Sequence, residues 1–72
     1  MTVHSKLKET IANIEAAKAN CDTFAEDTDD QMAKQMFRHC AQTLDSTAKQ
    51  LQDRLKYVES QEPQFTQPPR PR

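Results

Sequence analysis

No glycine occurs anywhere in this 72-residue chain, and all four prolines fall at or after Pro63. Devices that depend on positive φ are thereby excluded, among them Asn-Gly hairpin turns, phosphate-cradling loops and dinucleotide fingerprints. The first 62 residues also carry no residue that breaks a helix. What such a chain can fold into is narrow: long helices, joined by a turn that manages without glycine.

The apolar spacing agrees. Val3, Leu7, Ile11, Ile14, Ala17, Cys21, Phe24, Ala25 and Thr28 recur at intervals of three and four, which puts them on one helical face. A first helix is expected from about residue 2 to 26, with the Thr2 oxygen capping free N–H groups of its first turn. Asp27, Thr28, Asp29 and Asp30 then break the pattern with side chains that compete for local backbone donors, so the chain reverses here. Thr28 and Gln31 fit a capping box, and a second helix is expected over about 29 to 61, with Asp29 and Asp30 at the positive end of its dipole.

The apolar face of that helix reads Ala33, Phe37, Cys40, Ala41, Leu44, Ala48, Leu51, Leu55 and Val58, widened near the turn by Met32 and Met36. Pro63 disfavours helical geometry at Glu62. Residues 1–62 are therefore read as a helical hairpin and residues 63–72 as an extended Pro-rich tail.

The fold class that follows is all-α, an antiparallel two-helix hairpin with rods of roughly 36 and 48 Å. Below about 70 to 80 residues one core seldom supplies more than about 3 to 5 kcal/mol. The stripes, with Ala25, Ala41, Ala48 and Leu55 beside the strict seam, are wider than one partner helix covers. Pairing of two hairpins into a homodimeric four-helix bundle is the simplest cover. Its self-association core is expected to comprise Leu7, Ile11, Ile14, Phe24, Phe37, Leu44, Leu51, Leu55 and Val58.

Charge narrows the partners. Ten Lys and Arg against eleven Asp and Glu give a net charge of -1, without the basic surplus that drives phosphate binding, so nucleic acid is not expected. No apolar run of signal-peptide or membrane-spanning type is present, which makes a cytoplasmic location without membrane insertion the expectation. Acidic residues gather at the turn, whereas Lys6, Lys8, Arg54, Lys56, Arg70 and Arg72 gather at the open end. Two hairpins packed with turns at opposite ends are favoured by that polarity. The acidic turn is not a calcium loop, because the central Gly and terminal bidentate Glu are missing.

Reaction chemistry finds little to use. Cys21 and Cys40 lack CxxC spacing and are expected as reduced thiols on the inner faces. A metal- or redox-binding bundle would draw on Cys21, Cys40 and His39, with His4 as a possible addition. Adjacent helical positions point about 100° apart, so His39 and Cys40 do not face one interior point. Met36 also stands where a di-iron bundle needs a carboxylate. Ser5, Ser46 and Ser60 lack a nucleophile-elbow context. No cofactor and no enzymatic activity are expected.

The MTV start, the AKQMF run from Ala33 to Phe37 and the QEPQF segment from Gln61 to Phe65 resemble a short domain-of-unknown-function family of endospore-forming Firmicutes. The resemblance covers roughly residues 1 to 67, and the PPRPR ending departs from it. It implies a small sporulation-linked protein, cytoplasmic or in the spore, with a spore membrane protein as a candidate partner. It supplies no catalytic residues. Members commonly carry Gly or another residue at the position of His4 and polar or small residues at those of Cys21 and Cys40, which weighs against a metal or redox role. The function expected overall is that of a self-associating, non-enzymatic bundle that binds another protein.

Overall fold

A computed structural model describes residues 2–61. The expected Pro-rich tail, with Arg70 and Arg72 of the basic cluster, lies outside the described residues. Helix α1 spans Val3–Asp27 and helix α2 spans Gln31–Gln61. They pack against each other as a hairpin.

Both ends of α1 and the start of α2 are satisfied locally, as a glycine-free chain requires. At the start of α1 the Thr2 side chain accepts from the Ser5 N–H at 3.1 Å, and its carbonyl accepts from Lys6 N–H at 3.0 Å. At the end, Thr28 turns to extended geometry, φ -84° and ψ 142°, while its N–H still donates to the Phe24 carbonyl at 3.1 Å. Among the described residues none has positive φ. The reversal is made by three residues, 28–30, in which the Thr28 hydroxyl accepts from Asp30 N–H at 3.2 Å.

That last bond corrects the expected start of the second helix. The Thr28 oxygen accepts from Asp30 rather than Gln31, and the Thr28 N–H that the Gln31 side chain would have to meet donates to the Phe24 carbonyl, so the capping box with Gln31 does not form. The cap is Asp30: its Oδ1 accepts from Met32 N–H at 3.0 Å and Ala33 N–H at 3.4 Å, and its carbonyl accepts from Lys34 N–H at 2.9 Å. A carboxylate there also meets the positive end of the α2 dipole. The Lys34 ammonium reaches back to the Ala25 carbonyl, tying the first turn of α2 to the last turn of α1.

The continuous line of burial on each helix alternates by three and four, with Ala17, Ala33, Asp45, Gln52 and Glu59 half-buried beside it. On α1 the buried or half-buried seam runs His4, Leu7, Ile11, Ile14, Lys18, Cys21, Ala25, Thr28. On α2 it runs Lys34, Phe37, Ala41, Leu44, Ala48, Leu51, Leu55, Val58. An average spacing of 3.5 keeps one narrow strip of each helix facing the other. The expected face of α1 is corrected at two points: the seam passes through His4 and Lys18, and Val3 and Phe24 stand outside it, 62% and 51% exposed. Both polar seam residues are tolerated because each has a carboxylate partner on α2.

The seam is thin. Its most buried members include the alanines Ala25, Ala41 and Ala48, and among the described residues no large side chain is fully buried. Small residues let two helices approach closely, but a half-buried leucine realises only part of the roughly 1.5 to 3 kcal/mol that full burial yields.

Replacing Asp30 with alanine should cost about 1 kcal/mol, the usual penalty for a lost N-cap, read as a lower urea midpoint at unchanged slope. Thr28→Ala should cost less. A larger loss at Thr28 than at Asp30 would reverse the cap assignment.

Candidate functional site

The seam divides the hairpin into two flanks of unlike chemistry. The residues that follow seam positions on one side are charged or polar: Lys8, Glu15 and Asp22 on α1, and Arg38, Asp45, Gln52 and Glu59 on α2. Bonds cross between the helices along this side. His4 Nε2 lies 3.0 Å from Glu59 Oε2, the Lys18 ammonium donates to Asp45 Oδ1 at 3.1 Å, and the Gln52 amide donates to Glu15 Oε2 at 3.1 Å. Lys49 adds a second contact to Asp45 at 3.2 Å from four residues along α2. An open groove here is lined by Lys18, Asp22, Arg38, Gln42, Asp45 and Ser46.

The Lys18 hydrogen bond, with a second from Lys49, holds the Asp45 carboxyl below its usual range. Asp45 in turn raises the Lys18 ammonium, through the same hydrogen bond and then by charge. Both side chains are 38% exposed, so the pair fixes register more than it adds stability.

The other flank is nearly without charge. The residues that precede seam positions are Val3, Thr10, Ala17 and Phe24 on α1, and Ala33, Cys40, Thr47 and Arg54 on α2. Beyond them lie Lys6, Asn13, Asn20 and Asp27 on α1 and Met36, Thr43, Gln50 and Tyr57 on α2, so that charge stands only near the two ends. Phe24 and Phe37 stack near the turn with centroids 5.4 Å apart and planes tilted by 50°. Met36 is 51% exposed, and Arg54 covers the Tyr57 ring at 4.9 Å.

The expected self-association core divides across this geometry. Ile11 and Val58 are buried in the seam; Leu7, Ile14, Phe37, Leu44, Leu51 and Leu55 are half-buried; Phe24 is exposed on the uncharged flank. The expectation that both thiols sit on inner faces holds for Cys21, a seam residue, and is corrected for Cys40. Both are free, Cys21 half-buried and Cys40 exposed. Cys40 immediately precedes the seam residue Ala41, which places it on the flank, while His39 is exposed beside it. Among the described residues no group of three His, Cys, Asp or Glu side chains comes together as a metal site. Cys21, Cys40 and His39 are not gathered into one.

Sequence reasoning missed the polar members of the seam. His4 stands three before Leu7, and Lys18 lies four after Ile14 and three before Cys21, so both were on the period. The overlooked signal was a carboxylate at the matching level of α2, Glu59 for His4 and Asp45 for Lys18.

Residues 7–55 match the sequence profile of a family described as protein of unknown function, DUF1657. The chain belongs to that family. No curated protein and no solved structure matches it. The DUF1657 segment takes in most of both helices and the whole turn, and the His4–Glu59 pair lies just outside it. Among the described residues of this DUF1657 chain no helix is long and apolar enough to cross a membrane.

Because the folded Asp45 lies below its unfolded value, its contribution is present above the ordinary carboxylate range and is lost as pH falls through the folded value. Lys18, raised in the fold, contributes below the ordinary lysine range and loses that contribution as pH rises through its folded value. Thermal melts taken from neutral pH down through the carboxylate range should therefore fall less steeply for Asp45→Asn than for the wild type. Added salt should narrow the difference, and equal slopes at low salt would show the pair to be energetically silent.

Proposed function

We propose that this chain is a non-catalytic interaction module, a self-associating four-helix bundle built from two hairpins whose outer surface binds another protein. The observation that carries the reading is a core left half-filled. Among the described residues no large apolar side chain is fully buried, while Phe24, Met36 and Tyr57 stand about half exposed and Met32 is 80% exposed. A second layer of helices is the economical cover for half-buried leucines along two rods, and each rod then becomes part of an antiparallel coiled coil.

The sporulation setting, a cytoplasmic or spore location and a spore membrane protein as partner rest on the resemblance alone. A metal- or redox-binding bundle has weaker support, because Cys40 and His39 are exposed and Cys21 is half-buried in the seam.

Self-association makes stability depend on concentration. Melts followed by circular dichroism over about a hundredfold range of protein concentration should shift upward as concentration rises, as mass action requires of a folded dimer in equilibrium with unfolded monomers. A Tm that ignores concentration over that range would defeat the proposal.

A further inference from the structure

We propose that the uncharged flank is the pairing face, and that its occupant is a second copy of this chain laid antiparallel, turn against open end. The inference rests on the self-association reading and adds the face, together with the residues on it that set the polarity expected from the charge distribution.

The first argument is the state of the polar groups. The side-chain pairs that bond across the two helices, His4 with Glu59, Lys18 with Asp45 and Gln52 with Glu15, lie on the charged side, where covering them with a partner would strip water from Lys18, Asp45 and Glu59. On the uncharged flank the threonine hydroxyls are engaged within their own helices: Thr10 donates to the Lys6 carbonyl at 2.7 Å, Thr43 to the His39 carbonyl at 3.1 Å and Thr47 to the Thr43 carbonyl at 3.0 Å. Burying these positions strands no hydroxyl donor. They behave as apolar surface beside the half-buried leucines.

The second argument is charge. This flank carries ionised groups only near its ends, Asp27 toward the turn and Lys6 and Arg54 toward the open end. In an isologous pair with a two-fold axis across the rods, Asp27 of each copy approaches the Lys6 and Arg54 end of the other. With the axis along the rods, like charges would meet at both ends, which costs affinity. A protein of other composition has no such reason to match both ends at once.

The third argument is area. A face about 36 Å long and two helices wide offers on the order of 700 Å² per copy, close to the roughly 800 Å² per partner of a standard stable interface.

Cross-linking through single cysteines at exposed positions tests this in the full chain. With both native thiols changed to serine, Thr47→Cys lies near the middle of the proposed face, and a short bismaleimide should convert most of the protein to covalent dimer. Lys49→Cys in the same background, near the middle of the charged flank, should give none. Cys40 alone, in Cys21→Ser, should also give none, because antiparallel pairing sets the two copies of Cys40 about 20 Å apart along the rods. Circular dichroism equal to the wild type certifies the fold of each variant. Dimers through Cys40 would overturn the polarity, and dimers through Lys49→Cys in place of Thr47→Cys would overturn the face. No capture at Thr47→Cys with a concentration-dependent Tm would overturn this face while self-association stands; no capture with a concentration-independent Tm would overturn both.

Discussion

Two helices in contact along a single strip can shield only the side chains that point into that strip, and the rest of the molecule follows from how little this strip holds. Its spacing is regular, yet alanines occupy three of its best-buried positions, His4 a fourth, and the half-buried Lys18 and Lys34 two more places along it. The larger residues, Leu7, Ile14, Leu44, Leu51 and Leu55, remain half in water. Register is set by polar groups at defined levels, with His4 against Glu59, Lys18 against Asp45 and Glu15 against Gln52. Directional contacts of this kind choose one alignment of two rods that could otherwise slide. Apolar burial, which should supply the stability, is only partly realised within one chain.

The missing glycine shapes the turn in the same economical way. Without a left-handed residue the reversal is built from extended backbone and side-chain oxygens, Thr28 accepting from Asp30 and Asp30 capping α2. The acidic residues gathered there serve the helix end, and they give the hairpin its charged polarity. One group of side chains thus closes the turn and orients the whole rod electrically.

Most of this architecture was legible from the sequence, and the failures were local. Unbroken helical stretches and the period of three and four gave two helices and a reversal between 27 and 30. The N-cap at Thr2 was likewise visible. The start of α2 is ambiguous in the sequence because Thr28, Asp29 and Asp30 are all good caps, and only the geometry of the turn shows that Asp30 carries the cap. Cys40 was placed inside because it neighbours a seam residue and is apolar by type; one position on a helix is enough to move it to the flank. His4 and Lys18 were passed over because a polar residue on an apolar period reads as an interruption until its partner on the other helix is known. The difference between flanks was hidden for the same reason, since it depends on which side of the seam the interhelical bonds cross.

The account therefore turns on whether the hairpin lives alone. Sedimentation equilibrium of the untagged, reduced chain at micromolar to millimolar concentration measures this without mutation or label. The mass predicted is about twice the 8.3 kDa of the chain. A single species of 8.3 kDa that still melts cooperatively would show that the thin seam suffices, and would contradict the central claim.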